Sequence, residues 1–159
     1  GNLMINITAV LNDLGPSQKS FYFIKNFNEL SKNPNFSCSA FLCNIGMPVT
    51  KPLFSCSSVS FFSDYFGIAI STSIAEADTL LKSHNNSKKY LYLWDMEWLV
   101  RSMNYSQVCK ILLDKRLKII ARSKSHAQII ENFCNKKPVG IVEDWNNEQL
   151  LTLLEKQDA

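Results

Sequence analysis

The sequence predicts a single α/β domain over residues 1–159, with a mostly parallel sheet of about six strands between two layers of helices. Three observations point there. Short apolar runs alternate with amphipathic stretches along the whole chain. That order implies βαβ units, whose crossovers make strands parallel and cover both sheet faces. The runs are nearly all apolar or β-branched, as in strands buried on both sides. Finally, 159 residues suit one domain, and such a chain buries roughly 70% of its unfolded surface without disulfides or metal.

The elements follow in order. Residues 6–11 read as the first strand, and 12–19 as a loop broken at Gly15-Pro16. Ser17 is the expected N-cap of a helix over 20–30, whose apolar face runs through Phe23, Phe27 and Leu30. Asn33-Pro34-Asn35 stops it. Residues 37–45 form the second strand, 46–56 are irregular, and 59–66 suit either a short helix or a strand. Residues 67–71 are the third strand; 73–82 form a helix with Ile74, Ala77, Leu80 and Leu81 on one face. The fourth strand covers 89–94. A helical turn at 98–103 and a helix at 106–113 follow it. The fifth strand is 117–121, followed by a helix over 123–132 capped by Ser123 or Ser125. A short sixth strand at 139–142 and a last helix at 146–156, capped by Asn146 or Asn147, complete the set.

Composition narrows the function classes. The chain is 46% hydrophobic and 19% charged, with only 5 Gly and 5 Pro, which fits a globular protein and not a disordered one. Net charge is +3 from 17 basic and 14 acidic residues, too balanced for a dedicated nucleic-acid binder. The densest basic stretch is Lys115, Arg116, Lys118, Arg122 and Lys124, a candidate anion-facing patch. The 5 cysteines form no CxxC and most sit in apolar runs, so buried, reduced thiols and a cytoplasmic setting are expected. With two histidines and no metal-ligand spacing, no metal site is expected. No apolar stretch is long enough to span a membrane, and no secretory leader is visible. The abundance of Asn, Lys and Ile suits an AT-rich genome, as in some bacteria and phages.

In an open parallel sheet, ligands bind beyond the carboxyl ends of the strands, near the reversal of strand order. That rule selects Asn12, Asp13, Ser17 and Lys19 after the first strand and Asn44 after the second. Ser71, Thr72 and Ser73 follow the third, Asp95 and Glu97 the fourth, and Arg122, Ser123 and His126 the fifth. Asn12-Asp13 before Gly-Pro also suits plain turn chemistry. Trp94-Asp95-Met96-Glu97-Trp98 sets two carboxylates between tryptophans. Desolvation there would raise a carboxyl pKa toward that of a general base, whereas the bland reading makes Asp95 a cap and the tryptophans core. Arg122-Ser123-Lys124-Ser125-His126 offers a cation, hydroxyls and an imidazole at a strand-to-helix junction, suited to an anion or simply to capping. Neither G-x-G-x-x-G nor G-x-x-x-x-G-K-[ST] is present, so dinucleotide or ATP binding through those motifs is disfavoured and no cofactor is expected. Without G-x-S-x-G, a Ser-His-acid triad has no support.

Three segments carry a resemblance: the loop 12–20, the strand 87–95 ending in Asp95, and residues 117–123, Leu117-Lys118-Ile119-Ile120-Ala121-Arg122-Ser123. In layout the chain resembles the N-terminal Rossmann-like domain of GT-B glycosyltransferases, phage DNA glucosyltransferases among them. The resemblance implies sugar transfer or acceptor binding. Asp95 would be the catalytic base, and Asn12, Asp13, Ser17 and Arg122 would line an acceptor or phosphate site. The implied ligand is a nucleotide sugar or a sugar acceptor. GT-B enzymes place the donor mainly on a second domain, so the resemblance also implies a missing half, for instance from another chain. The alternative is a non-enzymatic binding or interaction module, with Phe61, Phe62, Tyr65 and Phe66 as a homo-oligomer face if exposed and as core otherwise.

Overall fold

The structure, a computed structural model, describes residues 3–100 and 103–158. At its centre runs β1 (Ile5–Leu11), whose last five residues are buried. On one side β1 pairs with β2 (Phe36–Leu42), which pairs with the edge strand β3 (Ser55–Ser58). On the other side it pairs with β4 (Gly67–Ser71), followed outward by β5 (Ser87–Tyr92), β6 (Leu117–Ala121) and β7 (Gly140–Ile141). Every pairing is parallel, and the order is β3-β2-β1-β4-β5-β6-β7. This is the doubly wound, Rossmann-like arrangement. The chain grows one way from β1, then returns and grows the other way from β4, so a crevice opens between those two strands.

The helices are α1 (Gln18–Ser31), α2 (Ile74–Lys82), α3 (Glu97–Val100), α4 (Tyr105–Leu112), α5 (Lys124–Cys134) and α6 (Asn147–Asp158). Right-handed crossovers on opposite sides of the reversal put α1 on one face and α2, α4 and α5 on the other. The first face is aromatic: Phe23 and Phe27 of α1 pack on Trp145, which meets Tyr92 edge-on at 4.9 Å between ring centres. The second is aliphatic, with Ile74, Ala77 and Leu81 of α2 and Val108 and Leu112 of α4 on Leu91, Leu93 and Ile119. Neighbours along a strand split between the faces, Tyr90 and Tyr92 to one and Leu91 to the other, as the two-residue strand period requires.

Capping residues set the helix starts. Ser17, Ser73, Asn104 and Ser123 each adopt extended backbone and accept an N–H of the following turn. Asn146 does the same for Gln149 at the start of α6, at 2.9 Å. Sequence reading anticipated Ser17 and left open Ser123 or Ser125 and Asn146 or Asn147; the structure selects Ser123 and Asn146.

The sheet has seven strands rather than six. The addition is β3, Ser-Cys-Ser-Ser, in a stretch expected to be irregular; its small polar residues carry no strand signature, and only pairing with β2 makes it one. The ambiguous segment after it is a 3-10 helix, Val59–Asp64. β2 stops at Leu42, short of Ile45, which is 74% exposed. β5 lies two residues upstream of expectation. Part of the expected turn at 98–103 falls outside the described residues. The thiols divide: Cys38 and Cys134 are buried, Cys109 is half-buried, and Cys43 and Cys56 are exposed. The aromatic run divides too, since Phe62 is buried and Tyr65 half-buried while Phe61 and Phe66 face solvent.

Candidate functional site

Two adjoining clefts, of about 580 and 460 Å³, open at the carboxyl ends of β1, β4 and β5, where the strand order reverses. They share Asn12, Lys19 and Asp95. The first is completed by Thr72, Ser73, Glu76 and Glu97 with the exposed Cys43 at its rim, the second by Asp13, Ser17, Trp94 and Arg122. A larger groove of about 730 Å³ lies at the opposite ends of the strands, but it is mainly apolar and its Lys88 and Asp158 pair with each other. A cavity of about 510 Å³ between β7 and α6 is also polar, but it lies away from the reversal of strand order, where polar groups from several strand ends converge.

The β1–α1 loop is rigidified by its own side chains. Asp13 accepts the N–H of Gly15 at 2.8 Å and the amide of Asn12 at 2.7 Å, and the amide of Asn44 reaches Asn12 Oδ1 at 3.0 Å. Asp13 thus does the turn work that was its bland alternative, and it also lines the second cleft. Ser17 caps α1 and lies at that cleft's mouth.

Asp95 follows β5 and is exposed, so the flanking tryptophans do not wall it off from water as the sequence suggested. Trp94 is buried and Trp98 stacks on Phe133 at 4.4 Å between ring centres. Glu97 Oε1 accepts the N–H of Ile74 at 3.0 Å and so holds the first turn of α2 beside the cleft it lines. Arg122 lies flat on the Trp94 ring, 3.8 Å from its centre. It donates to the Trp94 carbonyl at 3.2 Å and pairs with Asp144 at 3.3 Å. Of the candidate basic patch, Arg116 is held by Asp114 and only Arg122 lines the switch-point clefts.

Ser123 and His126 line neither cleft. Ser123 caps α5, and its hydroxyl accepts the His126 N–H at 3.1 Å. Burial, then the nearby Arg122 charge, lowers the His126 pKa, with Asp95 opposing. Its Nδ1 is buried with no partner among the described residues.

Sequence reading missed Glu76. It stands in the first turn of α2, lines the first cleft and is only 5% exposed. Burial pushes its carboxyl above the usual range; its own backbone N–H, Lys19 and the N–H of Asn12 pull the other way, and Glu97 adds to the rise. Beside it in the cleft wall, Thr72 is 1% exposed and its Oγ1 has no partner among the described residues.

The first cleft sets three carboxylates, Glu76, Asp95 and Glu97, against one cation, Lys19. Carboxylates only accept hydrogen bonds when ionised, so this wall suits O–H donors and repels a phosphate. In the second cleft, Lys19 and Arg122 face Asp13 and Asp95, and the charges balance. No family model, curated protein or solved structure matches the chain. No helix among the described residues is long and apolar enough to cross a membrane, and none of their His, Cys, Asp and Glu side chains form a group suited to a metal ion.

Proposed function

We propose that this protein supplies the sugar-acceptor side of a GT-B-type glycosyl transfer, with the acceptor in the switch-point crevice. The observation that carries this reading is the chemistry of the crevice. Three carboxylates and the Thr72 and Ser73 hydroxyls meet at the place where a doubly wound sheet holds its ligands, and they match a neutral polyhydroxylated molecule. Asp95, exposed and shared by both clefts, is the residue a bound hydroxyl can reach. It acts as the general base that removes the proton as the hydroxyl attacks the donor. The nucleotide-sugar donor is held chiefly by a second domain or a partner chain.

Thermal denaturation with neutral hexoses tests the binding step. At tenfold its dissociation constant, a ligand adds about 1.4 kcal/mol, roughly 3–6 °C at this chain length. A shift with hexoses but not with inorganic phosphate agrees with the proposal; the reverse selectivity refutes it. In the assembled transferase, Asp95→Asn abolishes transfer and leaves acceptor binding within twofold. Unchanged turnover removes Asp95 from the mechanism.

A second reading, a non-catalytic interaction module, has one observation behind it: Phe61 and Phe66 are 67% and 64% exposed. Light scattering separates the two. A dimer dispersed by Phe61→Ser and Phe66→Ser supports self-association, and a monomer at high concentration opposes it.

A further inference from the structure

We propose that Glu76 and Thr72 form the recognition floor of the crevice, accepting from and donating to adjacent hydroxyls of a neutral sugar. The proposal rests on the acceptor-binding reading above and names the groups that would carry it. Its warrant is a hydroxyl and a carboxyl buried side by side on the cleft wall, at a cost that the fold offsets only in part. Thr72 is 1% exposed, yet its Oγ1 has no partner among the described residues. A buried hydroxyl without a partner is a net cost to folding. Glu76 is 5% exposed on the same wall, and no salt bridge to it forms among the described residues. Its own N–H and that of Asn12 favour the charged carboxylate, and Lys19 attracts it, but burial outweighs them and pushes the carboxyl above its usual range.

The two stand four residues apart, Thr72 just past β4 and Glu76 one turn into α2, and both line the cleft of about 580 Å³. Their complementarity is specific. Thr72 both donates and accepts, and Glu76 accepts at two oxygens, so together they satisfy a pair of neighbouring hydroxyls. Lys19 lies close enough to temper the Glu76 charge, and Glu97, already turned to the α2 N-terminus, adds negative potential against anionic ligands.

The consequence is an opposition between stability and binding. Thr72→Val keeps the shape and removes the unpartnered hydroxyl, so it leaves the melting temperature unchanged or raised. Glu76→Gln removes the buried charge. Because burial raises the folded-state pKa of Glu76, the folded protein holds its proton to higher pH than the unfolded chain does. Stability therefore falls as pH rises above the usual carboxylate range, and Glu76→Gln flattens that limb and gains most near neutrality. Each variant weakens hexose binding about tenfold, the scale of one hydrogen bond lost to a polar ligand. Thr72→Ser restores the hydroxyl and the affinity.

The experiment titrates the intact chain with glucose, galactose and mannose, following backbone and Thr methyl NMR signals, in parallel with thermal melts of the three variants. Shifts at Thr72 and Glu76 with binding lost in Thr72→Val, restored in Thr72→Ser, and no loss of stability establish the recognition floor. Shifts at Asn12 and Asp95 that spare Thr72 and Glu76 overturn it while the acceptor-binding reading stands. A drop of more than about 3 °C in both Thr72→Val and Glu76→Gln assigns the pair to the fold and overturns it whatever binds. No perturbation of the crevice by any of the hexoses overturns this inference and the acceptor-binding reading together.

Discussion

Tyr92 links the core to the site, and its hydroxyl can be removed without disturbing packing. It is fully buried at the end of β5. Its hydroxyl donates to the Val142 carbonyl and accepts the Trp145 N–H at 3.3 Å. Between those groups the backbone turns through Asp144 and Trp145, both left-handed at φ 45° and 61°, a conformation that costs about 1–2 kcal/mol per non-glycine residue. Tyr92→Phe deletes one oxygen and takes a partner from two backbone groups. The net hydrogen bond to the carbonyl is worth about 1 kcal/mol, and depriving the buried N–H costs about 1–3 kcal/mol, so the variant loses about 2–4 kcal/mol. At roughly 2–4 °C per kcal/mol for a chain this long, the melting temperature falls by about 4–16 °C. Urea denaturation followed by tryptophan fluorescence measures the loss directly, with the slope unchanged and the midpoint lowered. The loss reaches the site, because Asp144 in the loosened turn anchors Arg122 over Trp94. A melting temperature within 1 °C of the parent would refute the claim that this hydroxyl pins the 142–145 segment.

Two further perturbations follow from the geometry. Gly67 opens β4 at φ +123°, and a Cβ there would lie 2.5 Å from the Asn6 carbonyl oxygen of the neighbouring central strand. Gly67→Ala therefore loses at least about 3 kcal/mol, read as a lowered urea midpoint; a loss below 1 kcal/mol would show that β1 yields. Asp114 is held to a pKa of about 2, first by the Arg116 side chain and then by the Arg116 N–H. Its folded value lies below the unfolded one, so its contribution is present above about pH 4 and is lost as pH falls toward 2. Asp114→Asn leaves a shallower acid limb in a pH series of melts, with only a small change at neutrality because the pair is largely solvated. An acid limb as steep as the parent's would place the acid sensitivity elsewhere.

Much of the architecture was legible because its causes are local. β4 and β6 are mainly apolar, with only Ser71 and Lys118 polar, and are bounded by turn residues, so their limits matched the sequence reading. The cap at Ser17 was legible for the same reason, and that of α5 to within Ser123 or Ser125: a hydroxyl before an amphipathic run has one efficient use. The site was partly legible. Once the alternation implied a parallel sheet, the switch-point rule placed Asn12, Lys19, Thr72, Asp95 and Glu97 around one crevice, and the structure brings these five to the first cleft.

What escaped the sequence depends on distant pairings. β3 is a strand only because β2 offers it an edge. Asp95 is exposed, the opposite of what the flanking tryptophans implied, and Glu76, which carried no signal in the sequence, is buried, because the solvation of a side chain is set by what lies across it. Around Glu76 that is Asn12 and Lys19, more than fifty residues earlier in the chain. The Arg122–Trp94 stack likewise joins residues 28 apart, brought together by the β5–β6 pairing. The sequence by itself determined most of the segments that become strands and helices, where most helices start and which end of the sheet carries polar groups, since periodicity and capping act within a few residues. The tertiary structure alone decided which of those groups lost their water and which lost their partners, because burial and electrostatic environment arise only where separate segments of the chain meet.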